Sequence, residues 1–174
     1  PIDPDRRSRL AETFFRMGQY ASAGVQLKRT AAERDLTAEE ELMLAECRLN
    51  LGLHEPALEA VSRAIEKYPD FEEAIVEKAN LLYLMNRFLE LRTFLEQNEA
   101  YFRDKPGMWN LFGNCWYSLG NFTEAAECYE KAAEIQTDMP IFSMNAARAR
   151  DMLGDTREAV EDYSGAARML FREE

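Results

Sequence analysis

Apolar residues recur along this chain at spacings of three and four, in short blocks separated by polar or glycine-containing links. The clearest block places Trp109, Phe112, Gly113 and Trp116 on one face of a helix. Because this spacing is typical of amphipathic helices, the pattern predicts an all-α chain. We expect ten helices, near 5–17, 21–34, 38–51, 55–67, 72–85, 88–101, 106–119, 122–135, 140–153 and 156–171.

A fixed period organises these blocks into pairs. Gly18 and Gly52 lie 34 residues apart, as do Gly120 and Gly154, and Asn86 stands midway between Gly52 and Gly120. Glycine and asparagine are the residues that best tolerate the left-handed conformation at the end of a helix. The period therefore predicts five helix–turn–helix repeats, at 4–37, 38–71, 72–105, 106–139 and 140–173.

Two columns of the repeat hold mostly small residues, which would let the paired helices approach closely. Position 8 is always small, and position 20 is alanine in every repeat except the third, which has leucine. The two columns read Ala11, Ala45, Ala79, Gly113 and Ala147, and then Ala23, Ala57, Leu91, Ala125 and Ala159.

Capping residues mark several of the predicted helix starts. A side chain that can cap a helix is followed three residues later by glutamate, which is the spacing of a capping box. We therefore expect capping side chains at four helix starts. The pairs are Thr37 with Glu40, Asp70 with Glu73, Asn121 with Glu124, and Asp155 with Glu158.

The pattern W-x-x-F-G-x-x-W-x-x-x-G-x-F-x-x-A-x-x-x-Y-x-x-A, from Trp109 to Ala132, resembles the tetratricopeptide repeat. The resemblance extends over five repeats in register. It implies a right-handed α-solenoid of about ten antiparallel helices with a concave groove, acting as a protein-interaction scaffold. We expect residues 1–174 to form one such domain. The apolar run from Met169 to Phe171 favours a segment of a longer protein, because a solenoid needs a polar cap on its last repeat.

Charge narrows the range of partners. The chain has 174 residues and a net charge of −11, which argues against general binding to nucleic acid. It also argues against an anionic membrane surface, and no apolar run is long enough to span a bilayer. No signal peptide is visible, and the unpaired cysteines favour a reducing, cytoplasmic location.

The sequence offers little material for catalysis or for a cofactor. Cys47, Cys115 and Cys128 form no CxxC pair, and His54 is the single histidine. The chain has no glycine-rich phosphate loop and no nucleophile elbow. We therefore expect no enzyme activity, no cofactor and no metal site, and we interpret the cysteines as buried thiols.

The resemblance implies that repeat positions 2, 5, 6, 9 and 12 line the groove. In the first three repeats these positions are acidic and apolar, whereas in the later repeats they carry amides, which can donate to and accept from a peptide backbone. Among the groove residues are Phe15, Glu39, Leu42, Met43 and Glu73.

We expect ten groove residues to form the binding site, with the tyrosines adding apolar area that ends in a polar group. This composition favours a basic or neutral extended partner. We also expect that replacing Asn80 and Asn114 by alanine leaves the fold intact. The site residues are Glu12, Glu46, Glu77, Asn80, Tyr83, Asn110, Asn114, Tyr117, Asn145 and Arg148.

One specific activity of the family is not supported. Chaperone-adaptor members grip an acidic tail with a carboxylate clamp of lysine, asparagine and arginine. The first window for that pattern has nearly the opposite charge, and no later window matches in full. Its residues are Ser8, Glu12, Met43, Glu73 and Glu77.

Three functional hypotheses follow, of which one, favoured by no residue of this sequence, is an enzyme or an enzyme's regulatory arm whose catalysis is encoded outside this segment. The first is a scaffold that binds a peptide or protein segment in its groove. The alternative is a structural segment of a larger assembly, which packs end to end or self-associates through its last repeat. The groove residues favour the first hypothesis, and the apolar C-terminal helix favours the second.

Overall fold

The computed structural model describes residues 3–170, and this range contains ten α-helices and one short 3-10 helix. The helix bounds agree with the predicted ones to within three residues. The largest differences are at α2 and α6, which each end three residues early, and α6 is followed by the 3-10 helix. Residue 171, the predicted end of the last helix, lies outside the described range. The helices are α1 (Pro4–Arg16), α2 (Tyr20–Ala31), α3 (Ala38–Asn50), α4 (His54–Lys67), α5 (Glu72–Leu84), α6 (Phe88–Asn98), the 3-10 helix (Glu99–Tyr101), α7 (Pro106–Ser118), α8 (Phe122–Ile135), α9 (Pro140–Leu153) and α10 (Thr156–Leu170).

The chain divides into two compact parts, Pro1–Met85 and Asn86–Glu174. The first part holds α1 to α5 and the second holds α6 to α10. The repeat at 72–105 therefore contributes its first helix to one part and its second helix to the other. That all five repeats act as one domain stays a prediction.

A left-handed residue follows the first helix of every repeat, as the 34-residue period predicts. The four glycines have φ between 70° and 85°, and Asn86 has φ of 56°. After α1, the Gly18 amide donates to the Phe15 carbonyl at 2.9 Å and the Gln19 amide donates to the Phe14 carbonyl at 2.8 Å. This pair of bonds is a Schellman motif, and it recurs at Gly52 and Gly120.

The structure describes the caps at three of the four predicted capping boxes, and only the box at Thr37 is found, while the one at Asp155 stays a prediction. The Glu40 amide donates to Thr37 Oγ1 at 3.3 Å, and the Thr37 amide donates to Glu40 Oε2 at 2.9 Å. The expectation at Asp70 is wrong, because Phe71 is the N-cap of α5. Asn121 is the N-cap of α8, but its side chain makes no capping bond. Asn121 also closes the Schellman motif of α7, and its ψ of 77° differs from the extended backbone of a side-chain cap.

The two columns of small residues are buried where helices pack together. Every alanine in both columns is fully buried, as is Leu91. At Gly113 the neighbouring helix is very close, because a Cβ atom there would lie 2.5 Å from the ring of Tyr129. Tyr129 is itself fully buried, and its hydroxyl donates to Asn114 Oδ1 at 2.8 Å. The Tyr129 ring therefore fills the space that the missing side chain of Gly113 leaves.

An arginine joins the first two repeats. Arg34 lies in the link between α2 and α3, and both of its Nη atoms lie 2.7 Å from the carboxylate oxygens of Glu40. The same guanidinium contacts Asp5 at 3.3 Å and Ser8 Oγ at 3.2 Å in α1. The hydrogen bond from Arg34, which outweighs the effect of burial, lowers the pKa of Glu40 to about 2. The capping glutamate of α3 is thus held ionised by the preceding repeat.

We expect Gly113→Ala to lower the melting temperature, and Gly113→Leu to lower it further. The added Cβ collides with the fully buried Tyr129 ring, and overpacking of this kind costs about 1–3 kcal/mol. Gly107→Ala on the same helix is the matched control, because a Cβ there meets nothing within 4 Å. Thermal unfolding of the three variants checks the assignment. Equal melting temperatures for Gly113→Ala and Gly107→Ala would contradict it.

Candidate functional site

An apolar cleft with an acidic rim lies in the first part of the chain, between α1, α3 and the start of α5. Its volume is about 320 Å³. Three carboxylates and four apolar side chains line it. The lining residues are Glu39, Glu46, Glu73, Phe15, Leu42, Met43 and Phe71. We call these residues together with Glu77 the acidic face.

Six of the seven lining residues stand at groove positions predicted from the sequence. Phe71 is the exception, since it precedes α5 and falls outside the positions considered. It also lines an adjacent cleft with Tyr68 and Pro69, so it forms the corner between the two clefts. The sequence signal that could have found Phe71 is an aromatic residue directly before a helix that faces the groove.

Two glutamates of the acidic face carry charge that is poorly solvated. Glu46 and Glu77 are both half-buried. Burial raises the pKa of the Glu46 carboxyl. Burial raises the pKa of Glu77, and the nearby charge of Glu46 adds to that rise. Among the described residues no basic side chain pairs with either carboxyl. Their ionised forms would be stabilised by a cation brought from outside.

The other predicted residues of the first part lie apart from the cleft lining. Glu12 on α1 pairs with Arg16 one turn later, with 2.5 Å between Oε1 and Nη2. Asn80 is exposed on α5, and Tyr83 is half-buried on the same helix. Glu46 is therefore the single member of the predicted site that lines the cleft. Glu77 lies close enough to Glu46 for the Glu46 charge to raise the pKa of Glu77.

In the second part, α7 and α9 carry three predicted asparagines, which take part in two separate hydrogen bonds. Asn145 Nδ2 donates to Asn110 Oδ1 at 2.8 Å, which links the two helices. Asn114 Oδ1 accepts from the buried Tyr129 hydroxyl at 2.8 Å. Each amide keeps further donor or acceptor capacity, since a carboxamide can form four hydrogen bonds. Asn114 thus supports the core as well as the surface, which the sequence did not indicate.

Tyr117 and Arg148 complete this surface. The Arg148 guanidinium lies 4.6 Å from the centre of the Tyr117 ring, which is within the range of a cation–π contact. The ring also packs edge-on against Phe122, with centroids 5.1 Å apart. These contacts hold Tyr117 in one orientation. We call Asn110, Asn114, Tyr117, Asn145 and Arg148 the amide face.

The last described helix exposes a second kind of surface. Val160 and Leu170 on α10 are 56% and 57% exposed, and Tyr163 between them is 36% exposed. Ala159 and Ala166 of the same helix are buried. The side chain of Met169 and the whole of Phe171, which the sequence pattern placed in this apolar run, lie outside the described residues.

The three cysteines are buried thiols, as expected. Burial raises the pKa of Cys47 and Cys115 to about 11 and that of Cys128 to about 12. Within residues 3–170, no group of histidine, cysteine and carboxylate side chains is arranged to hold a metal ion. None of the described helices is long and apolar enough to cross a membrane.

Comparisons with known proteins agree with this architecture. Residues 3–161 match the family model described as tetratricopeptide repeat. A "TPR repeat-containing protein" of Treponema pallidum (strain Nichols) is 25% identical over 166 residues, which is 95% of this chain. The chain spans about one fifth of the length of that curated relative.

Solved structures of MamA share the fold. A MamA RS-1 double mutant has a TM-score of 0.90 and 15% identity, and covers 98% of this chain and 96% of its own. A crystal structure of MamA has a TM-score of 0.87 and 18% identity, over 94% and 95% of the two chains. MamA from Desulfovibrio magneticus RS-1 has a TM-score of 0.86 and 16% identity, over 95% and 94%. At these identities the likeness concerns the fold.

We expect Glu46→Gln and Glu77→Gln each to raise the melting temperature at pH 7. A carboxyl whose pKa is raised in the folded state stabilises it below the ordinary pKa, and that stability is lost as the pH rises through the raised value. Glutamine removes the charge while keeping the shape, so the gain should disappear near pH 4. Thermal unfolding at both pH values checks this.

The matched control for this experiment is Glu127→Gln. It makes the same change in net charge at an exposed position of α8. Its melting temperature should stay close to that of the unmodified chain at both pH values. Loss of stability in Glu46→Gln at pH 7 would show that the carboxylate is held by favourable contacts.

Proposed function

The chain belongs to the tetratricopeptide repeat family of protein-interaction scaffolds, and we propose that it binds an extended, basic segment of a partner protein on its acidic face. The observation that carries the proposal is the pair Glu46 and Glu77. Both carboxyls are half-buried and have raised pKa values, and no basic side chain among the described residues pairs with either of them. A lysine or arginine of the partner would relieve this repulsion. We propose no catalysis, cofactor, nucleic-acid binding or membrane insertion for the chain, and we propose that it is located in the cytoplasm.

The amide face supports binding of a different kind. Asn110 and Asn145 are already linked to each other, which fixes the directions of their remaining donors and acceptors. A backbone carries the matching donors and acceptors whatever its side chains are. We propose that the amide face binds partner backbone and tolerates varied side chains, with Tyr117 adding contact area. Asn80 and Tyr83 lie on α5 in the first part of the chain, and we propose that they contact the partner together with the acidic face.

The structure changes which amide variant is useful for a test. Asn114 was expected to be replaceable without effect on the fold, but its Oδ1 accepts from the buried Tyr129 hydroxyl. Asn110→Ala with Asn145→Ala removes both members of one hydrogen bond, and such paired removal is close to neutral for folding. This double variant is therefore the cleaner probe of the amide face.

We expect the two faces to affect binding kinetics differently. A partner is first captured with the intact chain, and its association and dissociation are then measured at several salt concentrations. Changing both Glu46 and Glu77 to glutamine, and then both to lysine, should progressively slow association and remove its salt dependence, because charge steers encounter. The amide double variant should speed dissociation at every salt concentration, with about 0.5–1.5 kcal/mol lost for each hydrogen bond to the partner.

Glu127→Lys on α8 is the control for a general effect of net charge. It should leave the association rate nearly unchanged relative to the Glu46 and Glu77 variants. A captured partner that binds all of these variants with the affinity of the unmodified chain would refute binding at both faces.

The exposed apolar side chains of α10 favour a second candidate function, which is assembly. Val160, Tyr163 and Leu170 lie on one side of the helix, at spacings of three and seven residues. Such a stripe is the pattern by which a helix packs against another helix. We propose that this surface packs against a further helix, from another copy of the chain or from a larger assembly.

Light scattering over a range of concentrations tests self-association through α10. If α10 joins two copies, the mass should rise with concentration, and the variant Val160→Glu with Leu170→Glu should remain monomeric. Leu89→Glu on α6 is the control, because Leu89 is also strongly exposed but lies on another helix. A monomer at all concentrations would contradict self-association, while loss of association in both variants would place the contact elsewhere.

A further inference from the structure

The cleft of the acidic face has an apolar floor that is fixed in place. Phe15 packs edge-on against Tyr20, with ring centroids 5.6 Å apart. Met43 packs against the buried cluster of Ala11, Leu27, Leu36 and Leu44. The floor is therefore supported from beneath by the core, so it can receive a side chain without first being ordered. Preorganisation of this kind reduces the entropic cost of binding.

The contents of the cleft lining restrict what can occupy it. Phe15, Leu42, Met43 and Phe71 offer apolar surface. Three carboxylates share the lining, and of these Glu39 and Glu73 are exposed while Glu46 is half-buried. An acidic side chain would be repelled by the rim, and a small polar one would leave the floor uncovered. An apolar side chain covers the floor and leaves the exposed carboxylates of Glu39 and Glu73 in water. The volume of about 320 Å³ lies at the lower end of the range for ligand pockets, which suits one or two side chains.

The charged part of the site adjoins the cleft. Glu46 belongs to the cleft lining and also repels Glu77, which stands one helical turn beyond Glu73 on α5. A basic side chain placed beside the apolar one would therefore meet the Glu46–Glu77 pair. The apolar side chain that fills the cleft and the basic side chain that meets the glutamates would thus come from nearby positions of one bound segment.

The geometry of an extended chain sets the distance between these two side chains. Successive residues of an extended segment point to opposite sides, so residues i and i+2 face the same surface. We infer that the acidic face selects an extended segment in which a lysine or arginine and a large apolar residue are separated by one residue. This rests on the proposed function, and it adds a specificity that charge alone does not give.

The test uses an array of short synthetic peptides. At one position each peptide carries lysine, arginine, glutamine or glutamate, and one other position is varied in turn among leucine, phenylalanine, serine and glutamate. Binding of the unmodified chain should be strongest with leucine or phenylalanine two positions from the basic residue. The gain over serine should be about tenfold or more, as expected for burying one such side chain. No variant of the chain is needed for this measurement.

A pair of matched variants assigns the preference to the cleft. Leu42→Ser removes part of the floor, whereas Leu51→Ser makes the same change at an exposed position outside the cleft, at the end of α3. The apolar preference should shrink several-fold in Leu42→Ser and persist in Leu51→Ser, with the preference for a basic residue kept in both. Changing Glu46 and Glu77 together to glutamine should have the reverse effect and weaken the preference for lysine or arginine.

The outcomes separate this inference from the function on which it rests. If the basic residue is required but serine serves as well as leucine two positions away, the cleft inference is wrong and the acidic face still binds basic segments. An apolar preference that survives Leu42→Ser would also overturn it. If none of the basic peptides binds more tightly than its glutamate-containing counterpart, the proposed function of the acidic face fails as well.

Discussion

The close approach of paired helices at small, buried residues is the constraint on which the rest of this structure depends. At Gly113 the contact is so close that the ring of Tyr129 occupies the space of the absent side chain. The hydroxyl of that ring then donates to Asn114 of the amide face, on α7. A packing requirement in the core thereby sets the orientation of an amide on the surface, and the amide face cannot be treated as separate from the core.

The acidic face differs from the amide face, because two of its polar side chains are left uncompensated. Its apolar residues rest on the core, but Glu46 and Glu77 are held near each other with no compensating cation among the described residues. Elsewhere in the same part, a buried glutamate has a basic partner, since Arg63 donates two hydrogen bonds of 3.1 and 2.9 Å to the Glu41 carboxylate. Local departures from otherwise consistent chemistry are typical of sites that serve function at some cost to stability.

The family and the α-solenoid fold of five repeats could be predicted because the turns repeat at a fixed interval. The role of Asn86, which stands where the other repeats have glycine, could also be predicted, since both residues adopt the left-handed conformation. The caps at Asp70 and Asn121 were predicted wrongly, because spacing alone does not reveal that a residue already closes the preceding helix or precedes the true N-cap. Most of the cleft lining could be predicted from repeat positions. Phe71 was missed because it precedes α5 and stands outside the repeat positions considered. The core role of Asn114 could not be predicted, since it depends on a contact between helices that a single-helix pattern does not contain.

The arginine that joins the first two repeats has a consequence for cooperativity. Arg34 holds Glu40, and Glu40 forms the capping box that starts α3, while the same guanidinium is placed by Asp5 and Ser8 of α1. In a repeat protein, stability is the sum of each repeat's own stability and its coupling to its neighbours. Here the coupling runs through the helix-starting bonds themselves, so unravelling of α1 also weakens the first turn of α3. The N-terminal end of this chain should therefore unfold as a block of three helices, without a separate step in which the first pair frays alone.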